Sequence, residues 1–170
     1  NQCADELPSS LKYLKFGCEF NRSVNQLPQL DSLCFGAGFN RPVDSLPSTL
    51  TYLKFGDRFN RCVEHLPANL ERLEFGADFN QTVDKLPRSL RHLDFGFHFN
   101  QCVDMLPSTI VHLMLRHGFK QQIKKMPALL TYLTIYIGYN LSNIKPTLSN
   151  ILITYDRIHR QKSASGGGIR

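Results

Sequence analysis

The sequence predicts a mainly β solenoid. It would be a right-handed coil of about eight turns, each of ~20 residues, with a short parallel strand per turn and extended or 3-10 segments on the convex side. Three observations carry this expectation. The first is the interval: copies of L-x-x-L-x-F begin at Leu11, Leu30, Leu50, Leu70, Leu90, Ile110, Leu130 and Leu148, at spacings of 19, 20, 20, 20, 20, 20 and 18 residues. The second is the alternation within each copy, as in Leu53-Lys54-Phe55, which is the period of a half-exposed strand. The third is a proline in every copy, at 8, 28, 47, 67, 87, 107, 127 and 146, which rules out a long helix on the back of the coil.

Each part of the turn has a physical reason. The consensus is L-x-x-L-x-F-G-x-x-F-N-x-x-V-D-x-L-P-x-x. Its apolar positions cannot be buried within one turn, but coils stacked on one another bury them as a continuous core. A period near 20 with L-x-x-L-x-L character is that of a leucine-rich-repeat solenoid. Gly17, Gly36, Gly56, Gly76 and Gly96 follow the strand, where a sharp turn of the backbone is expected. Asn21, Asn40, Asn60, Asn80, Asn100 and Asn140 form a column whose amides are expected to bond backbone groups of their own and adjacent coils. Asp44, Glu64, Asp84 and Asp104 precede the Leu-Pro pair, and Arg22, Arg41 and Arg61 are expected to pair with acids of this kind.

The sixth and seventh copies, LMLRHGFKQQIKKMP and LTIYIGYNLSNIKP, lose the Phe-Gly pair, and the last keeps only its strand. The expected organisation is a solenoid over residues 1–153, with atypical repeats 110–153 as a cap, followed by a basic, flexible tail over 154–170. The chain begins mid-repeat and without Met, and is expected to be a piece of a longer or processed protein. The five Cys include no C-x-x-C, and Cys62 and Cys102 lie two coils, roughly 10 Å, apart, beyond disulfide reach. Reduced thiols and an intracellular, cytoplasmic setting are the expectation. No apolar run approaches the ~18 residues of a membrane span.

The segments FNRPVDSLPSTLTYLKFG (39–56), FNRCVEHLPANLERLEFG (59–76) and FNQTVDKLPRSLRHLDFG (79–96) resemble the FNIP repeat, a leucine-rich-repeat variant. The resemblance covers roughly residues 1–153. It implies a protein-binding role, because members of that family often carry an N-terminal F-box and look like substrate receptors of ubiquitin ligases, and some related proteins bind calmodulin. No F-box is present in these residues, and of the family's proline in F-N-x-P-V only Pro42 remains.

If core positions repeat, information sits in the spacers. Strand residues facing away from the core give a concave face whose candidate partner-binding residues are Tyr13, Tyr52, Lys54, Arg72, Glu74, His92, Asp94, His112 and Tyr132. Arg58, Phe97 and His98 mark the adjoining rim. Phe97 either forms a contact site or packs on the neighbouring coil. His92, His98, His112 and His117 are expected to crowd together without a completing carboxylate or Cys, so no metal or other cofactor is assigned, and a pH-sensitive patch is the other expectation for the cluster.

Charge divides the chain. Residues 1–110 hold 11 Lys+Arg against 13 Asp+Glu, whereas residues 111–170 hold 9 Lys+Arg against Asp156 alone. Lys120, Lys124, Lys125, Arg157 and Arg160 form a candidate basic patch. No nucleophile elbow, phosphate-cradling glycine loop or paired acid in a pocket is present, so no enzyme is expected. The expected function is a protein-interaction module that takes a protein partner on the concave face and rim, with no membrane contact. The alternative is a binder of nucleic acid or of an acidic partner, such as calmodulin, through the basic half.

Overall fold

A computed structural model describes residues 7–144 and 151–156. Eight strands form one sheet in chain order, each paired in parallel with the next. They are β1 (Tyr13–Lys15), β2 (Ser32–Cys34), β3 (Tyr52–Lys54), β4 (Arg72–Glu74), β5 (His92–Asp94), β6 (His112–Leu115), β7 (Tyr132–Tyr136) and β8 (Leu152–Asp156). The predicted solenoid is therefore the observed fold. Between strands the chain runs through turns and extended segments, and Leu141–Asn143 is the one 3-10 turn among the described residues.

Strand length follows the glycines. β1 to β5 have three residues and stop before the glycine column, while β6 has four and β7 five, where Arg116 and Tyr136 replace glycine. The expected turn follows these glycines, with the N–H of Phe20, Phe39 and Phe59 returning to the carbonyls of Gly17, Gly36 and Gly56, but from the second coil on it is close approach that requires glycine. A Cβ built on Gly56, Gly76 or Gly96 would come well inside 3.0 Å of the carbonyl oxygen of the preceding glycine, and none of them has a positive φ. Backbone lies on backbone at this edge of the stack, and only hydrogen fits between.

The core is a double file of phenylalanine. Phe16, Phe35, Phe55, Phe75 and Phe95 form one file, and Phe20, Phe39, Phe59, Phe79, Phe99 and Phe119 the other. Within a coil the two rings stack at 3.6–3.8 Å between centroids. Between coils the files repeat at 5.6–5.7 Å and 6.1–6.2 Å with rings nearly parallel. Leu30, Leu50, Leu70 and Leu90, with Leu33, Leu53, Leu73 and Leu93, close the sheet side, and valines close the back. No charged or polar side chain is buried among the described residues.

The asparagine column satisfies backbone groups as expected. Each Oδ1 accepts from the backbone N–H one coil on: Asn21 from Asn40, Asn40 from Asn60, Asn60 from Asn80, Asn80 from Asn100 and Asn100 from Lys120, at 2.9–3.2 Å. The following residue adds a second rung. Arg41 and Arg61 donate to the carbonyls of Asn21 and Asn40, and Gln81, Gln101 and Gln121 donate to those of Asn60, Asn80 and Asn100. For Arg41 and Arg61 this corrects the expected ion pairs: a backbone carbonyl of the preceding coil lies within reach of each guanidinium. The acids pair elsewhere, Asp44 with His65 and Glu64 with Lys85, both exposed.

The ladder ends at Lys120, whose ammonium offers no acceptor. Asn140 instead caps the 3-10 turn by accepting from Ser142, and the Tyr139 hydroxyl reaches the Gln121 carbonyl at 2.6 Å. The Tyr139 phenol is pushed up to about 12 by burial, with Tyr136 adding to the shift.

The last strand differs from the sequence reading. Leu133 pairs with Ile153, so β8 follows β7 by 20 residues, not the 18 implied by starting at Leu148. A slip of two preserves the in–out alternation of Ile151 and Ile153, so apolar pattern alone could not separate the two registers. The strand also runs on to Asp156, past the expected boundary at 153. Cys3, Lys145, Pro146 and Leu148 lie outside the described residues, as does the tail from residue 157.

Two substitutions test this packing by urea denaturation. Phe59→Ala removes a ring stacked on Phe39, Phe55 and Phe79 and is expected to cost about 3–5 kcal/mol. Gly76→Ala, often slightly stabilising where a side chain fits, is expected to lower the unfolding midpoint clearly because its Cβ meets the Gly56 carbonyl.

Candidate functional site

All nine predicted concave residues lie on strands, at positions whose neighbours point into the core. Each strand alternates, so Leu14, Leu33, Leu53, Leu73, Leu93, Leu113 and Leu133 face inward while the flanking residues face out. Parallel, in-register pairing then sets Tyr13, Ser32, Tyr52, Arg72, His92, His112 and Tyr132 side by side as one row. Lys15, Cys34, Lys54, Glu74, Asp94, Met114 and Thr134 form the second.

Glu74 is the hub of the second row. Its side chain is 13% exposed and accepts from Lys54 Nζ at 2.8 Å, Arg72 Nη2 at 2.7 Å and Nε at 2.9 Å, and the Tyr52 hydroxyl at 3.2 Å. Burial opposes its ionisation, but the hydrogen bonds from Lys54 and Arg72 outweigh it and hold the carboxyl below its ordinary value. The Tyr52 phenol is raised, by burial first and then by the Glu74 charge. Arg72 also lies over the Tyr52 ring, 5.5 Å from its centroid. Tyr52, Lys54, Arg72 and Glu74 are thus one preorganised unit.

Asp94, one coil on, is shifted the other way. Burial pushes its carboxyl above the ordinary value, and Arg116, donating through Nε at 3.3 Å and Nη2 at 3.1 Å, only partly reverses this. The Arg116 guanidinium also lies 5.4 Å over the Phe97 ring. Sequence reasoning passed over Arg116, although its place in the glycine column, at the first coil to lose that glycine, was the available signal.

Further along, the rings of His92 and His112 stack at 4.5 Å, and those of His112 and Tyr132 at 4.3 Å. Burial, then the His112 charge and the cations Arg72 and Arg91, lower the His92 pKa. These side chains line a shallow depression of about 370 Å³ between Arg72 and Tyr132.

On the rim, Phe97 is 46% exposed under Arg116, and His98 Nδ1 lies 3.3 Å from Asp78. Arg58 is exposed, its backbone N–H held by the Ala37 carbonyl. His98 is therefore on the rim and apart from the stacked pair, and His117 tilts against Tyr136. Among the described residues no three His, Cys, Asp or Glu come together as a metal-binding group. Lys120, Lys124 and Lys125 are exposed on the flank after the asparagine ladder, off the sheet, where Asp104 caps the backbone N–H groups of Lys124 and Lys125. Arg157 and Arg160 lie outside the described residues. Large exposed apolar residues gather toward the last coils, at Leu129, Tyr132, Ile137, Leu141, Leu152 and Tyr155.

A stacked coil with a uniform parallel sheet and a variable, uncovered strand face is a leucine-rich-repeat type of protein, a scaffold typical of interaction modules. The FNIP Repeat family profile matches residues 4–38, 39–78 and 79–118, and the chain belongs to that family. Among solved structures, the crystal structure of CroV588, described as a novel circular LRR protein, is similar with a TM-score of 0.71 and 36% identity over 91% of this chain. The match covers 25% of that protein, so this chain spans about a quarter of its length. Among curated proteins none matches. No helix among the described residues is long and apolar enough to cross a membrane.

The opposite shifts of the two carboxylates give a pH test. The folded-state pKa of Glu74 is depressed, so its contribution is present above the unfolded value near 4.5 and is lost as pH falls through the folded one. The gap in urea stability between the native chain and Glu74→Gln should be largest near neutral pH and shrink below about pH 4. Asp94 runs in the opposite sense, since protonation relieves its burial.

Proposed function

We propose that this chain is a protein-interaction module whose partner binds across the concave rows from Tyr52 to Tyr132 and the adjoining rim at Arg58, Phe97 and His98. The observation that carries the reading is the preorganisation of the uncovered face. Tyr52, Arg72 and Glu74 are locked by mutual hydrogen bonds, and His92, His112 and Tyr132 by ring stacking. Side chains fixed before binding lose little entropy on binding, and aromatic and Arg side chains are the usual anchors. The family resemblance supports a finer version, in which the partner is a substrate presented to a ubiquitin ligase by a module elsewhere. The free Cys18, Cys34, Cys62 and Cys102 fit an intracellular setting.

The test is affinity capture from a cytosolic lysate with the native chain and a Tyr52→Ala, Arg72→Ala, His92→Ala variant of matching circular dichroism. The expected result is at least one protein retained by the native chain and reduced about tenfold or more by the variant. Equal capture by both would overturn the assignment and move the contact to the flank carrying Lys120, Lys124 and Lys125.

A further inference from the structure

The middle of the concave face has a property that its ends lack. His92 and His112 present their ring faces to each other, and His112 stacks in turn on Tyr132. Neither imidazole has a hydrogen-bond partner among the described residues, although both are half-buried. Two titratable rings are therefore held 4.5 Å apart with unused nitrogens beside an open depression.

The charged surroundings come from several strands. β4 supplies Arg72 and Glu74 and β5 supplies Asp94, while Glu71 and Arg91 immediately precede these two strands. Lys54 on β3 and Arg116 after β6 complete the set, with Met114 on β6 and Tyr132 and Thr134 on β7 uncharged. Glu74 is engaged by Lys54 and Arg72, and Asp94 by Arg116. Four cations face three carboxylates, so the patch carries about one positive charge with neutral imidazoles and about three when both are protonated.

We propose that this stretch of the concave face docks an acidic, extended segment of a protein partner, and that docking draws protons onto His92 and His112. This rests on the reading of the concave face as a docking surface and names the partner's chemistry. Two imidazolium rings in stacking contact, with Arg72 and Arg91 close by, repel one another unless an anion lies across them. The lowered His92 pKa agrees with a free protein that keeps this ring neutral near pH 7. A bound carboxylate favours the charged forms, and by linkage a lower pH tightens the carboxylate's binding. Nucleic acid fits less well, because sequence-independent binding of single strands uses open aromatic faces for bases, and here both faces of His112 and one face each of His92 and Tyr132 are taken up by stacking.

The test is calorimetric titration of the full chain with hexaglutamate at fixed ionic strength from pH 7.5 to 5.5, where the peptide's carboxylates, with pKa near 4.3, stay largely ionised. The expected result is binding about tenfold tighter at pH 5.5 than at pH 7.5, with proton uptake seen as a dependence of the heat on buffer ionisation. A His92→Phe, His112→Phe variant, which keeps stacked rings without titratable nitrogens, should lose that pH dependence. A Lys120→Ala, Lys124→Ala, Lys125→Ala variant should keep it. Absence of binding at pH 5.5, a flat pH profile, a profile surviving in the Phe variant, or one abolished in the Lys variant would each overturn the inference. Tighter, histidine-dependent binding of a uridine octamer would overturn it in favour of nucleic acid. A flat profile alongside lysate capture that still needs Tyr52, Arg72 and His92 would sink the acidic-segment inference and leave the docking surface standing.

Discussion

Each strand residue in this molecule lies against the residue one turn earlier in the sequence, because the strands pair in parallel and in register. Self-compatibility is the constraint on which the rest depends. Phenylalanine satisfies it by stacking, asparagine by offering an acceptor to the next backbone N–H, and glycine by having nothing to collide with. Charge does not satisfy it, since like charges directly opposite repel. The outward row accordingly changes sign between Lys54 and Glu74. Where Glu74 and Asp94 do fall side by side, each is answered by a cation, and their carboxyls shift in opposite directions.

This constraint explains what the sequence made legible. Positions that must match themselves recur visibly, so the period, the strands, the phenylalanine core and the asparagine ladder could all be read from the residues alone. The concave rows could be placed as well, because strand alternation and register assign each outward residue a neighbour. What the sequence concealed is pairing within those rows. The role of Glu74 as a three-partner hub depends on side-chain reach across two coils, and the backbone carbonyls that hold Arg41 and Arg61 have no sequence signature. The turn after each strand was legible at the glycines, whereas the close approach of neighbouring backbones that also demands glycine was not.

The last coils relax the pattern in a coordinated way. Loss of glycine at Arg116 and Tyr136 coincides with longer strands, replacement of the phenylalanine file by Leu115 and Ile135, and a gathering of exposed apolar side chains. Arg116 shows how a departure from the repeat acquires a local role, since the side chain that glycine excludes elsewhere covers Phe97 and holds Asp94.

Lys120 carries a consequence of another kind. In a one-dimensional stack, cohesion between neighbours determines where the array parts under load, and a single weakened junction makes a seam. The substitution of lysine for asparagine removes one rung from an otherwise unbroken series, and the junction is held instead by a longer strand pairing, the Ile123 N–H on the Asn143 carbonyl, the Phe119–Tyr139 ring contact and the Tyr139 hydroxyl. The junction that lost its asparagine is thus joined by different bonds from those before it, and the stacked His112 and Tyr132 lie across it on the concave side.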